Sequence, residues 1–127
     1  MFLGLRTAVY PATDLSASKA WYCNVLGIEP YFDEPFYVGF NVGGYELGLV
    51  PREGDSEPTT YWGVPDIDAA LARLLADGAK PGRDITDVGD GIRVAAVREP
   101  GGGLLGLIEN PHFVISRPSP VAEGPGR

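Results

Sequence analysis

The chain has almost none of the side chains that hold soft or borderline metals: one cysteine, Cys23, and one histidine, His112, in 127 residues. A lone cysteine excludes an internal disulfide and any paired-cysteine zinc or redox motif. A lone histidine excludes a site built from two imidazoles of one chain. Basic residues are also scarce, 10 Lys and Arg against 17 Asp and Glu, for a net charge of −7. Nucleic-acid phosphates demand cationic patches, so nucleic acid is not an expected partner, and the acidity mildly favours a cationic ligand. No apolar run approaches the ~20 residues of a membrane helix. The opening Met1-Phe2-Leu3-Gly4-Leu5-Arg6 has no basic leader ahead of a long apolar core, which sets the expectation of a cytoplasmic protein that does not engage a membrane. No GxSxG elbow, phosphate-binding P-loop or helix-opening GxGxxG is found, and no catalytic group is assigned.

What the chain does have is an internal echo. Glu46-Leu47-Gly48-Leu49-Val50 returns as Leu104-Leu105-Gly106-Leu107-Ile108, each behind a glycine turn, Gly43-Gly44 and then Gly101-Gly102-Gly103. Upstream, Arg6 to Tyr10 leads to Asp14-Leu15 and a helix stopping at Gly27, while Thr59 to Val64 leads to Asp66-Ile67 and a helix stopping at Gly78. A supersecondary unit repeated at about 50 residues is a strong architectural signal. The order reads as two βαβββ modules of an α+β fold, module one about 3–51 and module two about 58–113, in a single domain 1–116. The proline-bounded, charged stretch from Pro51 to Pro58 reads as the connection, and 117–127 as a disordered tail.

Asp14 or Ser16 suits the first helix start, and Ala17, Ala20, Trp21 and Val25 are expected on its buried face. In the second helix Ile67, Ala70, Leu71, Leu74 and Leu75 fall at i, i+3, i+4, i+7 and i+8, with Asp66 to cap it and Gly78 to end it. Trp21, Tyr22 and Trp62 are expected in the core, and Cys23 reads as a buried, inert thiol.

The sequence Asp14-Leu15 to Trp21-Tyr22 and Leu26-Gly27, then Asp66-Ile67-Asp68-Ala69-Ala70, then Glu99-Pro100-Gly101-Gly102 resembles the vicinal oxygen chelate superfamily, which includes glyoxalase I, extradiol dioxygenases and the fosfomycin and bleomycin resistance proteins. The resemblance spans about 3–113. It implies that the modules' sheets curl into a cup around the ligand, and that metal-dependent members carry histidine on the first strand of a module and glutamate or histidine on the fourth. Carried over position by position, the first-strand positions fall on Thr7 and Thr59 and the fourth-strand positions on Gly48 and Gly106. These are a poor donor set for a divalent metal, which wants imidazole and carboxylate, so no metal and no cofactor is expected. The two glycines are expected to leave open space at the cup floor.

Strand alternation puts Glu46 on the face of Gly48, Tyr61 on that of Thr59, and Leu5 and Val9 on that of Thr7. Arg93 is read either as an inward cation for a carboxylate or phosphate, or as a solvated strand edge or structural pair with an acid. Phe36 and Phe40, with Phe32, Tyr37 and Tyr45, are candidates for an aromatic pocket wall or for core. The expected ligand-binding set is therefore Thr7, Phe36, Phe40, Glu46, Gly48, Thr59, Tyr61, Arg93 and Gly106. The resemblance further implies a metal-independent protein enclosing a cationic or aromatic small molecule, as bleomycin-resistance members do, working as a homodimer, with Pro11 at the hinge where some relatives exchange their first strand. The alternatives are a metal-free enzyme using Glu46, Tyr61 or Arg93, and a metal enzyme with ligands such as Glu46 and Glu109.

Overall fold

Two strands that each begin a module meet edge to edge and organise everything else. In the computed structural model, which describes residues 1–52 and 57–113, module one runs β1 (Gly4–Ala12), α1 (Leu15–Leu26), β2 (Phe32–Glu34), β3 (Tyr37–Val42) and β4 (Tyr45–Pro51). Module two runs β5 (Thr59–Gly63), α2 (Ile67–Ala76), β6 (Lys80–Gly89), β7 (Ile92–Arg98) and β8 (Leu104–Glu109). All eight strands form one sheet in the order β2-β3-β4-β1-β5-β8-β7-β6. The order is a palindrome of modules: in each, the first strand lies parallel to the fourth across a helical crossover, and the remaining strands follow as antiparallel hairpins. β2 and β6 remain free edges, so the sheet is not closed. The expected α+β architecture of two βαβββ units is what the chain adopts. The tail 117–127 and residues 53–56 of the Pro51–Pro58 connection lie outside the described residues.

Both helices start on aspartate because its carboxylate can accept an N–H that the first turn leaves without a partner. Asp14 Oδ1 accepts from Ala17 N at 3.0 Å, and Asp66 Oδ1 accepts from Ala69 N at 3.1 Å. Gly27 ends α1 in the left-handed region at φ 71°, and Gly78 follows the Asp77 cap of α2 at φ 107°, conformations open to glycine without steric cost. At the β3–β4 turn Gly43 and Gly44 have φ 63° and 93°, the pair of positive angles that a two-residue hairpin loop requires.

Each helix covers one face of its module. Under α1 lie Val38, Phe40 and Leu49, packed by Leu15, Tyr22, Cys23, Leu26 and Leu47; under α2 lie Ala95 and Leu107, with Val64, Ile67 and Ala70 completing that core. Three expectations are corrected. The inward, partly buried stripe of α1 is Leu15, Tyr22, Cys23 and Leu26, not Ala17, Ala20, Trp21 and Val25: Trp21 and Val25 are 58% and 55% exposed. Apolar residues surround this helix, so its sequence does not single out an inward face. Phe40, expected to bind ligand, is fully buried beneath α1, because alternation along β3 gives the opposite face to Tyr37, Gly39 and Asn41. Leu75 is 37% exposed at the margin of the α2 stripe. Trp62 lies on the helix-bearing face as expected, but only half-buried, with its ring 5.2 Å from that of Phe2. Cys23 is half-buried against the core, and burial raises its thiol pKa, which disfavours the reactive thiolate.

The placements of Phe40 and Trp21 separate by stability. Phe40→Ala is expected to cost about 3–5 kcal/mol in urea unfolding, as for a fully buried aromatic, whereas Trp21→Ala is expected to change stability by less than about 1 kcal/mol.

Candidate functional site

The face opposite the helices carries the polar residues. One row crosses the sheet at its centre: Asn41 on β3 faces Glu46 on β4, Glu46 faces Thr7 on β1, Thr7 faces Tyr61 on β5, and Tyr61 faces Gly106 on β8. Thr7 donates from Oγ1 to Glu46 Oε1 at 3.0 Å, and the Tyr31 hydroxyl donates to Glu46 Oε2. A third hydroxyl stands beside them. Tyr37, two residues from Gly39 on β3, lays its ring across β4 so that its oxygen occupies the space a Cβ at Gly48 would need. The space over Gly39 is likewise taken, since a Cβ there would be 2.8 Å from Glu46 Oε2 and 3.0 Å from Tyr31 Cε1. Burial first, then the neighbouring Glu46 carboxylate, pushes both phenols well above the usual tyrosine range, so both stay protonated, Tyr31 as a donor to Glu46.

Module two repeats the device with different chemistry. The Tyr61 ring covers Gly106, where a Cβ would lie 2.6 Å from Cδ1 and 2.9 Å from Cγ. Arg83 reaches in from β6, its Nη1 3.4 Å from Thr59 Oγ1 and 3.3 Å from the Tyr61 hydroxyl. Thr59 is 3% exposed and Thr7 8%. Glu46 and Arg83 thus flank a floor of threonine hydroxyls and tyrosine rings. On the module-one side Phe32, opposite Gly39, packs 6.0 Å from Tyr37 and 5.9 Å from Phe36 between ring centres.

Of the expected set, Thr7, Glu46, Gly48, Thr59, Tyr61 and Gly106 converge on this face. Phe36 stands at its margin, 66% exposed. Phe40 and Arg93 do not join it. Arg93 projects to the helix side, where Nη1 pairs with Asp68 at 3.0 Å and Nη2 with Glu109 at 3.0 Å, while Glu109 also accepts from Ile67 N at 2.9 Å. The structural-pair reading of Arg93 is the correct one, and its role is to tie the start of α2 to β7 and β8. Leu5 is also displaced: β1 carries an extra residue at Arg6, so Leu5 faces Trp62 while Thr7 faces Tyr61. The open floor expected over Gly48 and Gly106 is corrected too, since tyrosine rings fill it. Sequence reasoning missed Tyr31 and Arg83, and left Tyr37 open between pocket wall and core. Alternation from Gly39 places Tyr37 on this face; Arg83 lies on a strand with three register shifts, where alternation carries no information. A separate cleft of about 540 Å³ opens beside α1, between Tyr10, Tyr22 and Arg52, and contains none of these residues.

The sequence profile of the Glyoxalase/Bleomycin resistance protein/Dioxygenase superfamily matches residues 4–107. The chain belongs to this superfamily. Among curated sequences none matches. Solved structures with the same fold include a superfamily member from Vibrio splendidus (22% identity, TM-score 0.63, covering 83% of this chain and 97% of that one). A methylmalonyl-CoA epimerase from Streptomyces coelicolor is similar at 20% identity and TM-score 0.69, covering 89% and 98%. A hypothetical protein from Bacillus halodurans is similar at 14% identity and TM-score 0.72, covering 87% and 96%.

The metal centre found in many superfamily members does not fit the residues here. Side chains are absent at Gly48 and Gly106, and the space each would offer is occupied by a tyrosine. Thr7 donates its hydroxyl to Glu46, and among the described residues no three His, Cys, Asp or Glu side chains cluster. A single carboxylate with neutral hydroxyls is a weak donor set for a transition metal.

Two outcomes follow from the floor. Gly106→Ala is expected to cost about 1–3 kcal/mol by overpacking, and a double-mutant cycle with Tyr61→Ala should show that most of this penalty depends on the Tyr61 ring. Because the Tyr31 and Tyr37 pKa values are raised on folding, their contribution to stability is complete below about pH 10 and is lost as pH rises further. An ultraviolet phenolate titration of the native protein at about pH 11 should fall at least two tyrosines short of the unfolded total, out of six in the chain.

Proposed function

We propose that this superfamily member is a metal-independent host for a small molecule, which it encloses on the Glu46–Thr7–Tyr61 face. The observation that carries the reading is the replacement of the fourth-strand donor positions by Gly48 and Gly106, each roofed by a tyrosine from another strand. Where a Lewis acid would sit, the face offers phenols, threonine hydroxyls and one carboxylate. Glu46 accepts from Thr7 and Tyr31, which suits an anionic carboxylate presented to a positively charged or hydrogen-bond-donating guest. The rings of Phe32, Phe36 and Tyr37 supply an aromatic wall for its apolar body. Sequestration of a cationic antibiotic or an aromatic amine in the cytoplasm is the role in keeping with these features. The acidity of the chain adds a favourable long-range field for such cations.

A thermal-shift screen of cationic antibiotics, aromatic amines and divalent metals tests this. A true guest at 100 times its Kd adds about 2.7 kcal/mol of stability, zinc and manganese add none, and Glu46→Gln weakens the guest about tenfold or more. A guest whose affinity is unchanged in Glu46→Gln removes Glu46 from the site. Recovery of the guest unaltered supports a binding role; conversion that stops in Glu46→Gln supports the alternative, a metal-free lyase or isomerase. The working unit in this reading is a homodimer, supported by the apolar stripe Trp21, Val25 and Ile28 left uncovered on and just beyond α1. Light scattering at micromolar concentration should then give twice the 13.5 kDa chain mass.

A further inference from the structure

The bulge that displaces Leu5 has a second effect: it turns Arg6 toward the same face as Thr7. In a bulge two residues of one strand oppose one residue of its partner, and here Arg6 and Thr7 stand opposite Tyr61. The Arg6 side chain lies along Gly63, where a Cβ would be 2.7 Å from Nε and 3.0 Å from Cζ, and its Cζ lies 4.0 Å from the centre of the Phe113 ring. It is more than nine-tenths buried, at 8% exposure. Among the described residues its one side-chain hydrogen bond runs from Nη1 to the carbonyl of its neighbour Leu5 at 3.1 Å, and none of the ion pairs includes it. A guanidinium carries five N–H donors and does not lose its charge in proteins. No buried side-chain nitrogen or oxygen lacks a partner among the described residues, so the Arg6 N–H donors beyond that one bond are not sealed off, and beside the Phe113 ring they are open to an anionic acceptor.

We propose that Arg6 is an anion subsite of the cup, which takes the carboxylate of a guest whose other end, a cation or hydrogen-bond donor, rests on Glu46. The proposal builds on the reading of this face as a host site and narrows the guest to a zwitterion. The spacing follows from the sheet. Gly63 lies two residues beyond Tyr61 along β5, and β4 lies two strands from β5, so guanidinium and carboxylate are separated by roughly 10 Å. Arg6 and Glu46 are thus too far apart to neutralise each other directly, and a guest of that length can satisfy both. A purely anionic guest has to approach a chain of net charge −7, so it binds weakly, whereas a zwitterion does not meet that barrier.

Three probes separate the parts: benzoate as the anion alone, benzylamine as the cation alone, and 8-aminooctanoate, whose charges are about as far apart as the sheet geometry requires. Binding is read by NMR titration. The expected result is benzoate binding that weakens at least tenfold in Arg6→Met and is unchanged in Glu46→Gln, with 8-aminooctanoate at least tenfold tighter than benzoate on the unaltered protein. Benzoate affinity indifferent to Arg6→Met, or 8-aminooctanoate no tighter than benzoate, overturns the proposal. Benzylamine binding that depends on Glu46 but not on Arg6 reports on the host-site reading alone, so the two ideas can fail separately. If Arg6→Met does not fold, the Arg6 Nε–H resonance of the unaltered protein decides: it moves on benzoate addition, and a stationary resonance with benzoate bound overturns the assignment.

Discussion

The antiparallel seam between β1 and β5 is the constraint on which the rest depends. Each module alone is a four-stranded sheet with one helix, and its polar face would be a flat, solvated surface. Joining them through the first strands makes one continuous sheet and places Thr7 between Glu46 on one side and Tyr61 on the other. The seam also carries the one-residue irregularity at Arg6, which sets the facing of every β1 side chain N-terminal to Thr7. A register without that extra residue would send Leu5 into the cup.

Three arginines show how context decides what a cation does. Arg93 is held by Asp68 and Glu109 on the helix side, and the Glu109 carboxylate, by also accepting from Ile67 N, fixes where α2 begins. Arg98 pairs with Glu57 next to the connection between modules, an exposed pair of the kind that contributes little net stability. Arg83, by contrast, reaches over the floor to neutral hydroxyls. The face therefore carries the Glu46 carboxylate on β4 and the Arg83 guanidinium from β6 at opposite sides of its floor, with Arg6 beside the seam between them, an asymmetry imposed on a backbone whose two halves share one topology.

The backbone plan was legible because it rests on short-range rules that leave marks in the sequence. Asp14 and Asp66 read as caps, Gly27 and Gly78 as stops, Gly43-Gly44 as a tight hairpin, and the Gly48 and Gly106 repeats as equivalent strands, and each was found in that role. Facing was legible only where alternation ran unbroken. It put Glu46 with Gly48 and Tyr61 with Thr59, but failed at Leu5, where a bulge intervenes, and offered nothing for Arg83 on the irregular β6. Tyr31 sits outside any strand, so no periodicity announces it. The face of α1 was misread because Trp21 and Val25 are as apolar as the residues that pack against the core. Arg93 shows a further limit, since a sequence does not reveal which acids a long side chain will meet.

The pairing of tyrosine over glycine separates the shape of this face from the backbone beneath it. At Gly48 and Gly106 the depth of the chamber is governed by a ring that belongs to a different strand from the glycine beneath it. Shortening that ring would deepen the chamber by about the volume of a phenol while leaving the hydrogen-bonded ladder under it untouched. The two modules would adjust independently, one well beside the carboxylate and one beside the arginine. The space over the sheet can thus change by single substitutions with the scaffold held constant, a bump-and-hole arrangement already built into the sheet.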